Sequence, residues 1–199
     1  MSLAGIILAA GVSRRMGRVK ALLEYEGETF LDRLVGILAA DCDPVIVVLG
    51  HHAARIEAGF ERRAQALVVH NPDPDRGQLS SLACGLRAVP AGSEGVLFTP
   101  VDYPAVRPAT VALLLESFRA GGPAASVAIP VFDGRRGHPV CISGAVAAEL
   151  LDLPPDSEAR AVIRRHQADT CLVDVDDPGV VEDVDDPEAY RRLLERARP

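Results

Sequence analysis

Lysine is nearly absent from this chain. Of its 21 basic side chains, 20 are Arg and one is Lys, at position 20. Methionine is as scarce, occurring only as Met1 and Met16. Both rare internal residues fall in one stretch of 13, Leu8 to Lys20, and a chain that otherwise uses Arg keeps a Lys there for a local reason. Cysteine is sparse: Cys42, Cys84, Cys141 and Cys171 form neither a CxxC pair nor a Cys/His ligand spacing. That excludes a zinc-ribbon site and a disulfide framework, and the thiols read as small hydrophobes in a reducing cytoplasm. No run of about 20 apolar residues can span a bilayer. The apolar opening from Leu3 to Ala10 is too short for a signal peptide and lacks its basic flank. A basic surface is missing too. With 28 acidic side chains, a formal charge of −7 and a pI near 5.2, the chain is a poor nucleic-acid binder.

What is present is a globular composition, 48% hydrophobic and 25% charged, at a length that predicts one domain over residues 1–199. Apolar runs predict strands at Leu3–Leu8, Pro44–Leu49, Leu67–His70, Gly95–Thr99, Ser126–Val131, His138–Ile142 and Cys171–Val175. Helix-period segments lie between them: Thr29–Ala40 behind a Thr cap, Ala53–Ala66, Ser80–Ala88, Ala109–Ala120, Ala145–Leu151, Glu158–His166, and a last one from Pro187. Asp133-Gly134 signals a hairpin with a longer loop, able to project a small lobe over the sheet. Strands alternating with helices predict an α/β fold with a mostly parallel sheet covered on both faces. In such a sheet the ligand sits outside the carboxyl ends of the strands, so the loops that follow each strand carry the functional signal.

After the first strand comes LAAGVSRRMGRVK. Gly11, Ser13 and Gly17 offer exposed amides, and Arg14, Arg15, Arg18 and Lys20 put four cations into seven residues. Without an anion these would repel, so the loop reads as a phosphate cradle. It is neither a Walker A loop nor GxGxxG, which removes the signature of a dinucleotide-dependent oxidoreductase. A second cluster, Asn71-Pro72 through Gly77-Gln78-Leu79-Ser80-Ser81, enters a helix. There Ser80 or Ser81 is either an N-cap or a contact for a base or ribose. A third, Thr99-Pro100-Val101-Asp102-Tyr103-Pro104, presents Asp102 between two prolines. A hard cation such as Mg²⁺ takes one or two such carboxylates plus substrate phosphates. The fourth runs from Asp169 to Glu188, with nine acids and no Lys or Arg; most of these acids are expected in water. One of Asp183, Asp185 and Asp186 could complete a metal site with Asp102. His51, His52, His70 and His166 show no ligand pairing, whereas His138 sits where a lobe meets substrate. No Ser-His-Asp or Cys-His arrangement supports covalent catalysis.

Taken in order, LAAGVSRRMGRVKALL, NPDPDRGQLSSL, PVDYP, RGHPVCI and VEDVDDPEAY resemble the landmarks of the MobA-like NTP transferases across nearly the whole chain. The Leu-Ala-Ala-Gly opening is similar to the molybdenum-cofactor cytidylyltransferases; guanylyltransferases more often have a second Gly where this chain has Ala10. The resemblance implies a three-layer α/β/α sandwich with a Rossmann-like sheet of the nucleotide-diphospho-sugar transferase type, and metal-dependent nucleotidyl transfer using Mg²⁺ or Mn²⁺. By position it implies that Leu8, Ala9, Ala10, Gly11, Ser13, Arg15 and Lys20 hold the triphosphate, and that Gly77, Ser80 and Ser81 lie near base and ribose. Arg15, Lys20 and Asp102 would be catalytic, Asp102 and Asp185 would hold the metal, and Gly137, His138 and Pro139 would line the acceptor side. The implied partners are CTP and a phosphorylated acceptor such as molybdopterin, with no nucleic acid and no membrane.

The chain departs from the pattern of the family it resembles at Leu79, at Tyr103, and at Glu158, where that family usually has Gly. The resemblance implies that Glu158 lies toward the acceptor, where its carboxylate would disfavour a phosphorylated pterin. Two readings stand beside the leading one: transfer to another phosphorylated acceptor (a sugar phosphate or small alcohol phosphate), and a nucleotide-binding regulator without turnover. Pyrophosphate release separates them.

Overall fold

The computed structural model describes residues 2–122, 125–154 and 157–197. Among them the elements run β1 (Leu3–Ala9), β2 (Glu24–Tyr25), β3 (Glu28–Thr29), α1 (Phe30–Leu38), β4 (Cys42–Leu49), α2 (Ala53–Ala58) and β5 (Leu67–His70). There follow α3 (Gln78–Arg87), β6 (Gly95–Pro100), α4 (Pro108–Ala120), β7 (Val127–Phe132), β8 (Arg135–Arg136) and β9 (Val140–Ser143). The chain finishes with α5 (Gly144–Leu151), α6 (Ala159–Arg165), β10 (Thr170–Asp174) and α7 (Pro187–Arg196). The main sheet has the order β10-β7-β9-β6-β1-β4-β5. β1 pairs in parallel with β4 and β6, as do β4 with β5 and β10 with β7. Among the described residues of this sheet, only β9 and the short β8 run antiparallel to their neighbours, while β2 and β3 form a separate antiparallel pair.

Three layers follow from the burial of β1 on both faces. Leu3, Ile7 and Ala9 pack with Leu34, Ile56, Leu114 and Leu193, the inner residues of α1, α2, α4 and α7. Ile6 and Leu8 face the other way, onto Leu82, Val146 and Val162 of α3, α5 and α6. Each fully buried aliphatic side chain is worth about 1.5–3 kcal/mol relative to exposure.

Three expectations are corrected. The helix expected over Ala53–Ala66 stops at Ala58, because Gly59 caps it and the Arg62 amide donates instead to buried Asp32 Oδ1 (2.8 Å). The hairpin at Asp133-Gly134 has a tight loop: both residues have positive φ (49° and 71°), and Phe132 pairs directly with Arg135 across them. The third helix begins at Gln78, not Ser80. Its N-cap is Gly77 at φ 91°, a conformation that a side chain resists. Ser80 is already inside the first turn, where Oγ donates to the Gly77 carbonyl (2.8 Å), so neither serine is the cap.

Candidate active site

A cleft of about 360 Å³ opens at the carboxyl ends of β1 and β6. The loop after β1 forms one side. Buried Met16 and Val19 pin it to the core, which gives the rare methionine a packing role. Ser13 (φ 57°) and Gly17 (φ 67°) turn the chain, and the Gly17 amide donates to the Ser13 carbonyl at 3.1 Å. Ser13 Oγ then accepts from the Lys20 amide (3.3 Å), where a short 3₁₀ turn, Lys20–Leu22, begins. Among the described residues, the amides of residues 11–16 find no protein acceptor. They form a rim of open donors suited to an anion.

β6 delivers the opposing carboxylate. The Val101 amide bonds to the Leu8 carbonyl (3.0 Å), extending the β1–β6 pairing to the residue before Asp102. The Asp102 carbonyl accepts from the Val184 amide (2.8 Å), which brings Asp185 alongside. Lys20 Nζ donates to Asp102 Oδ2 at 2.9 Å and to Asp185 Oδ1 at 2.6 Å. Arg15 donates to Asp185 Oδ2, also at 2.6 Å. The side chain of Lys20 is 12% exposed, those of Asp102 and Asp185 21% and 27%, and that of Arg15 70%. Burial works against the Lys20 charge, but the two carboxylates outweigh it and hold its pKa above the ordinary value. For Asp185, burial is again outweighed, here chiefly by Lys20, and the carboxyl titrates below its usual range. Asp183 moves up, through partial burial and the charge of Asp185.

This geometry selects among the three tail aspartates. Asp185 enters the cleft, Asp186 caps α7 through the amides of Glu188 and Ala189, and Asp183 is exposed beside them. Not all of the acidic tail is solvated. Asp177 is buried and accepts from the Arg107 and Gly179 amides and Thr110 Oγ1. The protein's own acids also neutralise two of the four loop cations, leaving Arg14 and Arg18 exposed and without an ion pair among the described residues.

Asp102 Oδ1 is buried and has no hydrogen-bond partner. Such an atom is costly unless something else pairs with it. Among the described residues, no group of three or more His, Cys, Asp and Glu could hold a metal. Two hard carboxylates that need phosphate oxygens to complete the shell fit Mg²⁺ or Mn²⁺ better than zinc.

The second cluster divides. Gly77, Gln78 and Ser81 line the cleft, whereas Ser80 lines a separate groove against Leu150 and Leu153. Asn71, the first residue of that cluster, organises both serines, donating to Ser80 Oγ (2.8 Å) and Ser81 Oγ (3.0 Å). Pro74 and Val101, from the second and third clusters, add apolar lining, as does Ile56, which lies in none of them.

Gly137 and Pro139 are buried and His138 is half-buried, so this segment stands behind the cleft wall. A Cβ on Gly137 would lie 2.1 Å from the Val180 carbonyl oxygen, and the His138 amide donates to that carbonyl at 2.8 Å. The His138 ring packs on Tyr103 (4.8 Å between centroids) and Phe98 (6.1 Å). Its Nδ1 is buried and unpartnered, and burial lowers its pKa to about 4 although the Asp102 charge pulls the other way. The imidazole is therefore neutral at pH 7. Glu158 is not in the helix expected from it but precedes α6 as the N-cap, and Pro155 and Asp156 just upstream lie outside the described residues.

The sequence profile of the MobA-like NTP transferase domain matches residues 5–170. The chain belongs to that family. Among relatives of this MobA-like chain, the nicotine blue oxidoreductase of Paenarthrobacter nicotinovorans is 36% identical over 197 residues, covering 96% of this chain and 95% of the relative. The molybdenum cofactor cytidylyltransferase of Escherichia coli K12 is 26% identical over 193 residues, with the same coverage. The crystal structure of Rv0371c from Mycobacterium tuberculosis H37Rv superposes with a TM-score of 0.86 at 31% identity, covering 98% of both chains. A manganese complex of Rv0371c matches at 0.79 and 29%, covering 98% of this chain and 99% of that one.

Proposed function

We propose that this chain transfers CMP from CTP to the phosphate of a molybdopterin-type acceptor, with Mg²⁺ or Mn²⁺ held by Asp102 and Asp185. One observation carries the reading: Asp102 and Asp185 converge under the basic loop, bridged by the chain's only lysine, with Asp102 Oδ1 buried and unpartnered. An acceptor phosphate oxygen forms a bond to the α-phosphorus in line, the bond to the β-phosphate breaks, and pyrophosphate leaves. The acceptor is already ionised near neutral pH, so no general base is needed, and neutral His138 is free of that duty. Arg15 and Lys20 stabilise charge growing on the pyrophosphate, while the amides of residues 11–16 orient it. When bound, the metal would supply Lewis-acid stabilisation of the phosphate charge, with Asp102 and Asp185 as the residues that would hold it. Gly77 and Ser81 sit where base and ribose would rest. The single-domain assignment and a cytoplasmic location belong to the same reading.

Calorimetric titration of CTP, GTP, ATP and UTP with Mg²⁺ or Mn²⁺ tests the base choice. Preferential CTP binding that weakens in Asp102→Asn is expected. Preference for another nucleotide overturns the cytidylyl assignment. Pyrophosphate release with molybdopterin, set against sugar phosphates and small alcohol phosphates, tests the acceptor.

The relative named an oxidoreductase keeps a second reading, in which the cleft holds the pyrophosphate of a reducing dinucleotide. Oxidation of NADH or NADPH with a reducible dye, and no pyrophosphate release from any triphosphate, would favour it.

A further inference from the structure

Lys20 holds its ammonium between the two carboxylates that the transferase reading gives to a divalent cation. Nζ reaches one oxygen of each, and Arg15 takes the second oxygen of Asp185. Three of the four carboxylate oxygens are thus engaged by cations of the chain itself, and the fourth is shielded from water. A divalent ion drawing on both carboxylates would sit against Nζ, and like charges repel in this partly buried site more than they would in water. The Lys20 backbone is fixed to Ser13 Oγ and the adjoining turn is anchored by Val19 and Ala21, so only the side chain can carry the ammonium away. Another anion within reach would favour that move. Gly11, Ser13, Arg14 and Arg15 line the same cleft with amides that find no protein acceptor among the described residues, so a polyphosphate seated there would offer one.

We propose that Lys20 is an internal counter-cation, holding Asp102 and Asp185 together and closed to divalent metal until a polyphosphate draws its ammonium away, so that metal enters with or after the triphosphate and not ahead of it. Arg15 plays the same part at the outer oxygen of Asp185, less strongly because it is exposed. The inference rests on the metal assignment above and adds an order of binding to it.

The test is Mn²⁺ alone, titrated into the full chain and followed by the electron paramagnetic resonance of free Mn²⁺. Lys20→Met is expected to bind Mn²⁺ about tenfold more tightly than wild type, since the competing charge is gone while the stem remains. Lys20→Arg, which keeps the charge, is expected to stay close to wild type. Arg15→Gln changes an exposed side chain that the fold does not need, and is expected to bind about threefold more tightly. Equal or weaker binding by Lys20→Met, or no Mn²⁺ binding by any variant, overturns the proposal. Should Lys20→Met fail to fold, unchanged affinity in Arg15→Gln overturns it instead. Calorimetry with inorganic triphosphate in chelator separates the two readings. A wild type that ignores triphosphate while the Mn²⁺ contrast persists sinks the transferase reading and leaves the lysine–metal competition standing.

Discussion

At the scale of single residues, the carboxylates and His138 make opposite demands. Asp102→Asn removes a charge from a partly exposed loop, so the protein should melt near its wild-type temperature, and on the proposed transferase reading pyrophosphate release should disappear. Near-normal turnover would overturn the assignment of Asp102 to a metal. Lys20→Ala should cost about 2–4 kcal/mol in kcat/KM, the scale of one preorganised electrostatic donor. His138 makes a prediction about acid. Its folded pKa of about 4 lies below the unfolded value near 6.5, so the unfolded chain binds the proton first as pH falls. Stability attributable to the neutral ring is therefore complete above pH 6.5 and is lost as pH falls toward 4. Between pH 7 and pH 5 the loss should be about 2 kcal/mol, and His138→Phe, which keeps an aromatic ring between Phe98 and Tyr103, should abolish that part. Urea unfolding of both proteins at the two pH values checks it. Equal acid sensitivity would show that other groups carry the effect.

At the scale of elements, the segment behind the cleft depends on a backbone-to-backbone approach. Gly137→Ala would drive a methyl into the Val180 carbonyl and separate the strand region from the loop that carries Asp185, with an expected loss of about 3 kcal/mol. Gly144, at the start of α5, has open space around it, so Gly144→Ala should be neutral or stabilise by up to about 1 kcal/mol. Thermal melts of the pair distinguish contact from composition. Elements were legible where one local force ruled them. β1 is an unbroken apolar run, as is β4 from Pro44 to Leu49, and α1 starts where Thr29 accepts the Asp32 amide. Legibility failed where a distant group won. Arg62 leaves the helical path to reach Asp32, and Asn71 takes the serine hydroxyls that looked like caps.

At the scale of the molecule, Lys20 lies 82 positions from Asp102 and 165 from Asp185. The loops that would meet were readable from the rule for parallel sheets, since each follows a strand's carboxyl end. The choice among Asp183, Asp185 and Asp186 was not, because it turns on one long-range bond from the Val184 amide to the Asp102 carbonyl. Such a site exists only in the folded chain. Nucleotide-dependent activity and far-UV circular dichroism should therefore disappear at one urea midpoint; activity lost earlier would reveal local opening of the Asp185 loop.

The solitary lysine has a practical consequence. Apart from the α-amine, the whole molecule offers amine-directed reagents one target, and its lone pair is withheld by two carboxylates. Acylation of Lys20 in the native protein can proceed only as often as that grip loosens. The rate at which the Lys20 peptide gains the acyl mass, read separately from the α-amine after digestion, thus becomes a clock for the opening of the cleft, readable without substrate, metal or turnover.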